Sequence, residues 1–534
     1  MISTAPTSPA ADNLGALAAR VATLEAHGAA REERIGLLEE ENRWLKAQLF
    51  ARSSEKTPRE DISPDQAWLF NEAEALAQAA AAASPSVTIL AHERKKRGRK
   101  KISANLPRIE VVHDLPEGEK VCAADGTALE RIGEEVSEQL HFQPAQVCVI
   151  RNIRPKYACP CCRQGVYIAP VPLQLLPKSM ATPALLAQIT TAKFVDGLPF
   201  YRQEAQWDRL GIPLGRATMA GWQIQLGGIH VVPIINLMKD LLLEAPLIHC
   251  DETRLQVLKS DKAPTAHHWM WVRAAGPPGR RIILFDYDAS RGGAVPLRLL
   301  QGYQGILLTD GYEPYDKVAE ALHLIHAGCL AHARRYFDAA RKASEASDGG
   351  QARVALDFIG ELYAIERALG DKDHPCRPED RLRVRTERSV PVIEKFHVWL
   401  EALAPKVLPQ SLLGKAIYYT LGQWSKLTVF LKHGEVPLDN NRCENAIRPF
   451  VIGRKGWLFN DTVKGALASA NLYSLVETSK ANGVEPHAYL THLFTKLPYA
   501  KTVEDFEALL PWNVKAAVPT TRHSRQADSR AAAN

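Results

Sequence analysis

PLIHCDE (246–252), HHWMWVRAA (267–275), RIILFDYDAS (281–290), GILLTDGY (305–312) and LHLIHAGC (322–329) follow one another within residues 245–333. Each is a short apolar or alternating run bounded by Gly, Pro or polar turns, the signature of a strand. Asp251 closes the first run and Asp310 the fourth. Beyond Cys329 the sequence turns helical, through HARRYFDAARKASEAS (332–347) and on to LTVFLKHGE (427–435), and then reaches DNNRCENAIRPFVIGRKGWLF (439–459). Strands, a long helical insertion and an acid, Glu444, on a closing helix predict a mixed sheet with helices, interrupted by an all-α subdomain.

In a helix from Cys443 to Trp457, Glu444 and Arg448 lie one turn apart on the same face and Lys455 falls three turns beyond Glu444. Three carboxylates brought together from two strand ends and a helix do not stay charged near one another without cations. Hard divalent ions with oxygen ligands meet that need, and Mg²⁺ fits because it binds through few carboxylates plus substrate phosphates; Mn²⁺ is its substitute. The expected reaction is metal-assisted phosphoryl transfer on DNA, with Asp251 bridging two ions about 4 Å apart, Asp310 on one and Glu444 on the other. Taken singly, each acid has an ordinary reading: Asp310 as a turn residue, Asp251 as a helix cap, Glu444 in an i,i+4 pair with Arg448. Glu252 points to the opposite strand face, and Asp286 and Asp288 sit on a run with no matching role.

A chain of 534 residues is too long for one core, so three or more domains are expected. The net charge is only +6, from 66 Lys and Arg against 60 Asp and Glu, but the cations are clustered, which favours a polyanionic partner. The first residues lack a charged segment followed by an apolar one, and the longest apolar candidate, 229–247, is cut by Pro233, Lys239, Asp240 and Glu244. A cytoplasmic protein with no membrane partner is expected. Nine cysteines read as thiols or metal ligands rather than a disulfide framework.

The N-terminal third divides by composition. Residues 14–52 carry a heptad seam, Leu17, Val21, Leu24, Gly28, Arg31, Ile35, Leu38, Asn42, Leu45 and Leu49, which predicts a self-associating coiled coil with Asn42 as a register-fixing amide. A linker, 53–108, ends in RKKRGRKK: Arg94, Lys95, Lys96, Arg97, Arg99, Lys100 and Lys101 form an arm suited to phosphate backbones, or else a solvated linker. Within 109–172, Cys159 and Cys162 have zinc-knuckle spacing and Cys122-x-x-Asp125 would be the other half; the alternative is reduced cysteines in a small β module. In 173–243, Thr182-Pro183 caps a helix and YRQEAQWDRLGIPLGRATMAGW (201–222) reads as helix, turn at Gly211 and helix, from which Arg216, Thr218 and Gln223 would reach a DNA groove. A plain helical bundle is the competing reading.

IHCDETRLQVL (248–258), LLTDGYEPYDKV (307–318), GCLAHARRYF (328–337) and NNRCENAIRPFVIGRKGWLF (440–459), with LYSLVETSKANGVEPHAYL (472–490) and LLPWN (509–513) behind them, resemble the large transposase of the insertion-sequence sixty-six family. The resemblance implies a multidomain α+β protein. Its parts are a leading coil, a zinc-finger-like module, a helical DNA-binding region and an RNase H-like core in two parts, 244–335 and 437–482. A helical insertion, 336–436, lies between those parts, a helical segment, 483–513, follows, and 514–534 is a tail. It implies a DDE triad of Asp251, Asp310 and Glu444, element ends and target DNA as partners, and helper proteins of the same element. The sequence departs from the family at Asp125, where a second C-x-x-C is usual. Cys329-x-x-His332 resembles a signature that follows the second aspartate in several such enzymes, or is a buried strand thiol. Arg334, Arg335, Arg448, Arg454 and Lys455 are candidate phosphate contacts, and Trp457 is a base-stacking candidate whose simpler role is core packing. A DNA-binding regulator with a dead catalytic fold and a metal nuclease that cuts without joining are the rival readings.

Overall fold

The computed structural model describes residues 147–157, 167–343, 350–370 and 376–514, together with helical positions between 20 and 38. Residues 94–101 and Cys122, Asp125, Cys159 and Cys162 lie outside the described residues. Two compact units are present, one made of Glu74–Val171 and the other of the remainder. In the smaller unit, Lys156–Tyr157 pairs antiparallel with Tyr167–Ile168.

The larger unit is built on a six-stranded mixed sheet. Its strands are β1 (Leu247–Lys259), β2 (His267–Ala275), β3 (Ile282–Asp288), β4 (Ile306–Thr309), β5 (Ile325–Gly328) and β6 (Asn460–Thr462). All five apolar runs of the sequence are strands. They stand in the order β3-β2-β1-β4-β5, with β1, β2 and β3 an antiparallel meander and β4 and β5 parallel to β1. One edge of β1 is paired with β2 from Ile248 to Gln256. The other is shared: β4 takes Leu247 to His249 and β6 takes Val257 and Lys259. Between them a stretch of β1 beginning at Cys250 has no strand neighbour on that side.

Helices cover both faces. α1 (Pro183–Phe194) is capped by Thr182, whose Oγ1 accepts from Leu185 N at 3.2 Å, as Thr-Pro dictates. α2 (Phe200–Arg209), a turn through Gly211 at φ +75° and α3 (Arg216–Gln225) follow in the expected order, and α3 runs through a π-helical turn, Leu226–His230, toward α4 (Val232–Leu243). Gln223 does not face a groove. It is buried, and Thr190 Oγ1 donates to its Oε1 at 2.9 Å, because its face of α3 packs on α1. Among the described residues no single helix is long and apolar enough to cross a membrane.

After β4 and β5, with α5 (Pro314–Ala321) between them, the chain leaves the sheet through α6 (Leu330–Ala343), α7 (Gly350–Ala368), α8 (Val390–Leu403) and α9 (Leu412–Gly422). These helices share an apolar core, including Phe337, Ile359, Phe396, Leu400 and Ile417, which also takes in Leu247, Ile306, Leu308 and Ala327 from the sheet. Arg385 is wholly buried there, held by Glu366 at 2.8 and 2.9 Å and by the carbonyls of Phe430, His433 and Val436. The chain returns as α10 (Asn441–Trp457), then β6, α11 (Val463–Ala481) and α12 (Pro486–Lys496).

α11 closes the exposed edge of β3 without a strand. Ser474, Thr478 and Asn482, four residues apart on one helix face, bond the β3 region's backbone. Phe285 N donates to Ser474 Oγ at 2.8 Å, Ile283 N to Thr478 Oγ1 at 3.0 Å, and Arg281 N to Asn482 Oδ1 at 2.9 Å. Thr478 Oγ1 and Asn482 Nδ2 return hydrogen bonds to the carbonyls of Ile283 and Arg281. A polar helix face thus satisfies an edge that would otherwise template pairing with another chain. Thr478→Val keeps the side-chain shape but leaves both backbone groups of Ile283 buried and unpaired. We expect it to cost about 3 kcal/mol in urea unfolding; an unchanged midpoint would contradict this role.

Candidate active site

Asp251 lies on β1 and Asp310 follows the last residue of β4. In the parallel register His249 pairs with Leu308, so each acid lies two residues beyond a paired position. The period of two places both on one face of the sheet at adjacent strand ends. Glu444 sits in the first turn of α10 and is buried. Two aspartates from neighbouring strands and a glutamate from the returning helix therefore converge. Burial and then the charges of Glu252, Asp310 and Glu444 push the Asp251 carboxyl well above its ordinary range. Its Oδ1 accepts from Glu252 N at 2.8 Å, and Asp310 Oδ1 from Tyr312 N at 3.0 Å.

α10 is held in place by the residue before it. Asn440 is wholly buried. Its Nδ2 donates to the Cys250 carbonyl at 2.9 Å, on the stretch of β1 left open between β4 and β6. Its Oδ1 lies 2.9 Å from His249 Nδ1, and its backbone N–H donates to Cys329 Sγ at 3.2 Å. One residue, through its side-chain amide and its backbone N–H, thus joins β1, the end of β5 and the start of the helix that carries Glu444. Nothing in the sequence marked Asn440 apart from its place before the helix.

Glu444 is also met from α6. Arg335 Nη2 donates to Glu444 Oε2. His332 is buried between them, its Nε2 3.2 Å from Arg335 Nη1 and its Nδ1 3.8 Å from Glu444 Oε1. Burial and the adjacent Arg335 hold the His332 imidazole down to about 3, so it is neutral. The expected role of Arg335 as a phosphate contact gives way here to an ion pair with the buried acid, since both are drawn into the same low-dielectric space. Arg334 is exposed.

Glu252 projects away from this cluster. Arg291 binds its Oε1 at 2.8 and 3.0 Å and Tyr315 donates to its Oε2 at 2.8 Å. Arg291 in turn lies over the rings of Tyr312 and Trp269, with its guanidinium carbon 3.9 and 4.7 Å from the ring centroids. Asp286 is bound by Arg273 and Lys239 at 2.8 and 3.3 Å. Asp288 is paired with Arg298 at 2.8 Å, so all three acids set apart from the cluster have cations of their own.

Along α10, Arg448 and Arg454 are half-buried and Lys455 is exposed. Burial and the nearby Arg254 lower Arg454 to about 10. Trp457 is buried, packing edge-on against Phe450 with centroids 5.4 Å apart, which makes it a core residue. Arg216, at the start of α3, is exposed, with its backbone N–H bonded to Glu204 at 3.0 Å.

The family model for "Transposase IS66 family" matches residues 178–468, more than half of the chain. The chain belongs to the IS66 transposase family. Further family models match in chain order: "Transposase C of IS166 homeodomain" at 37–111, "zinc-finger binding domain of transposase IS66" at 119–163 and "IS66 C-terminal element" at 474–512. The uncharacterized protein y4jD of Sinorhizobium fredii is 34% identical over 79% of this chain and 84% of its own length. Protein y4hP of the same organism is 30% identical over 89% of this chain and 88% of its own. The family's central match spans Asp251, Asp310, Glu444 and Asn440 together.

The raised Asp251 pKa carries a linkage consequence. The folded protein holds this proton more tightly than the unfolded chain, so the stability it contributes is present at low pH and is lost as pH rises through the folded value. With divalent ions chelated, Asp251→Asn is expected to melt above wild type at about pH 8, the difference closing toward about pH 4. Identical melting curves for the two proteins across that range would refute the cluster's electrostatics.

Proposed function

We propose that this chain is a DNA transposase that cuts the ends of its element to free 3′-hydroxyls and joins them to target DNA, with Asp251, Asp310 and Glu444 as the catalytic acids. The observation that carries this reading is the convergence of the three carboxylates, two from adjacent parallel strand ends and one from the helix that returns after the insertion. We read the sheet as RNase H-like, on the support of its antiparallel meander continued by parallel strands with acids at adjacent ends.

The donor set fits hard divalent ions. All the oxygens are carboxylate oxygens, and an acid whose pKa is raised by burial and its neighbours gains most from a nearby dication. Asp251, Asp310 and Glu444 would hold Mg²⁺, with Mn²⁺ as its substitute. Such ions supply activation of the attacking oxygen and charge relief for the leaving one. Water is the first nucleophile, and a proton leaves it as the phosphodiester breaks and the 3′-oxygen departs. In the second step the freed 3′-hydroxyl attacks a target phosphodiester, displacing one 3′-oxygen of the target.

The chain's own groups hold the DNA. Arg448, Arg454 and Lys455 share a helix with Glu444, and the placement of Arg254 near Arg454 concentrates positive charge suited to phosphate. Arg216 on the exposed start of α3 would read the element end, and Arg94 to Lys101 would add salt-dependent affinity. Cys122, Asp125, Cys159 and Cys162 would hold Zn²⁺, a reading supported by the zinc-finger family match over 119–163. Self-association through the N-terminal coil is supported by Val21, Leu24, Ile35 and Leu38, which leave 42–64% of their surface exposed on a helical segment. Helper proteins of the same element are further expected partners.

Labelled element-end DNA incubated with Mg²⁺, any helper proteins and wild-type protein should give cut and joined products. Glu444→Gln should lower joined product on the order of a thousandfold while DNA binding is retained. Cutting without joining would favour a nuclease, and binding without metal-dependent chemistry in either protein would leave a regulator.

A further inference from the structure

Cys329, His332 and Glu444 form a second grouping that overlaps the acid cluster at one residue. A thiol sulfur, an imidazole nitrogen and a carboxylate oxygen lie within 4.8 Å of one another, and all three residues are buried. His332 Nδ1 finds no hydrogen-bond partner and faces Glu444 Oε1 at 3.8 Å. Cys329 Sγ receives the backbone N–H of Asn440 at 3.2 Å; burial and then the charge of Glu444 push the thiol well up, so without a metal it keeps its proton. Cys329 and His332 stand one turn apart where β5 runs into α6, so a rigid helix start presents both.

We propose that Cys329 Sγ, His332 Nδ1 and Glu444 bind a single Zn²⁺-class ion, and that this ion and the Arg335 guanidinium are alternative partners of Glu444. A sulfur, nitrogen and oxygen set selects Zn²⁺ over Mg²⁺, and three protein ligands leave a fourth position open. Binding releases the thiol proton to solvent and moves the imidazole proton from Nδ1 to Nε2. A proton on Nε2 then opposes the Arg335 N–H that now points at it from 3.2 Å. Glu444, taken up by the metal, gives up its bond to Arg335 as well. Loading the site therefore separates Arg335 from Glu444 and His332 and engages Glu444 away from Asp251 and Asp310. Resting on the transposase reading, the consequence is that Zn²⁺ inhibits joining while Mg²⁺ supports it.

The test reads metal binding directly, in the absence of DNA, so that it stands apart from any failure of the transposase reading. Co²⁺ is titrated into the full-length protein and followed by the thiolate-to-cobalt absorption. Cys329→Ser and His332→Gln should each lose one equivalent relative to wild type, the signal from the cysteines of the 119–163 zinc-finger match being common to all. Arg335→Gln should bind that equivalent roughly tenfold more tightly, because it removes the competitor. A change in opposite directions cannot come from misfolding. Equal stoichiometry and affinity in wild type and all three variants would overturn the proposal.

Discussion

The side chain of Asn440 is the point at which the two halves of the sheet unit are fastened together. More than a hundred residues separate Cys329, at the end of β5, from the start of α10, and a loop of that length leaves the helix free to dock in many registers. Asn440 removes that freedom: its side-chain amide bonds the Cys250 carbonyl and the His249 ring, and its backbone N–H bonds the Cys329 sulfur. These partners surround the stretch of β1 that neither β4 nor β6 covers. Glu444, one helical turn further on, arrives beside Asp251 because Asn440 has nowhere else to make these bonds. A buried amide is costly unless satisfied, and that cost is what makes the docking specific.

The acids around the sheet are sorted by their counter-charges. Glu252 has Arg291 and Tyr315, and Asp286 has Arg273 and Lys239. Asp251 stands differently: its strongest neighbours beyond burial itself are other carboxylates. Glu444 is balanced by Arg335 from α6. Glu252 ties β1 to the loop after β3 and to α5, and Asp286 ties β3 to β2 and α4. The helical insertion bears on the acid cluster although it contributes none of the three acids. α6, which leads from the sheet into it, carries Arg335 and His332, and the insertion's core shares Leu247, Ile306 and Leu308 with the strands that present the aspartates.

Much of the sheet was legible because strands and their ends follow local rules. Alternation and turn residues marked all five apolar runs, and two of them ended in aspartate. Thr182-Pro183 and the Gly211 turn were equally local. β6 escaped notice, since Asn460–Thr462 is only three residues long and is a strand through pairing with β1 rather than through its own pattern. Gln223 was misread for the same reason: its burial depends on α1 packing against it. The roles of Asn440, Arg335 and Arg385 rest on partners far away in the chain, and an Asn or Arg in a polar stretch gives no sign of them. The acids Asp251, Asp310 and Glu444 could be named from the sequence, but their convergence depends on a register and a buried amide that no local pattern records.

We propose that Asp251, Asp310 and Glu444 together form a divalent-metal site. Mn²⁺ titration followed by electron paramagnetic resonance, on full-length protein bound to element-end DNA, tests it most directly. A pair of tightly held ions in wild type, lost when Asp251 is changed to Asn and reduced when Asp310 or Glu444 is changed to its amide, is the expected result. Mn²⁺ binding that is the same in wild type and all three variants would contradict the account.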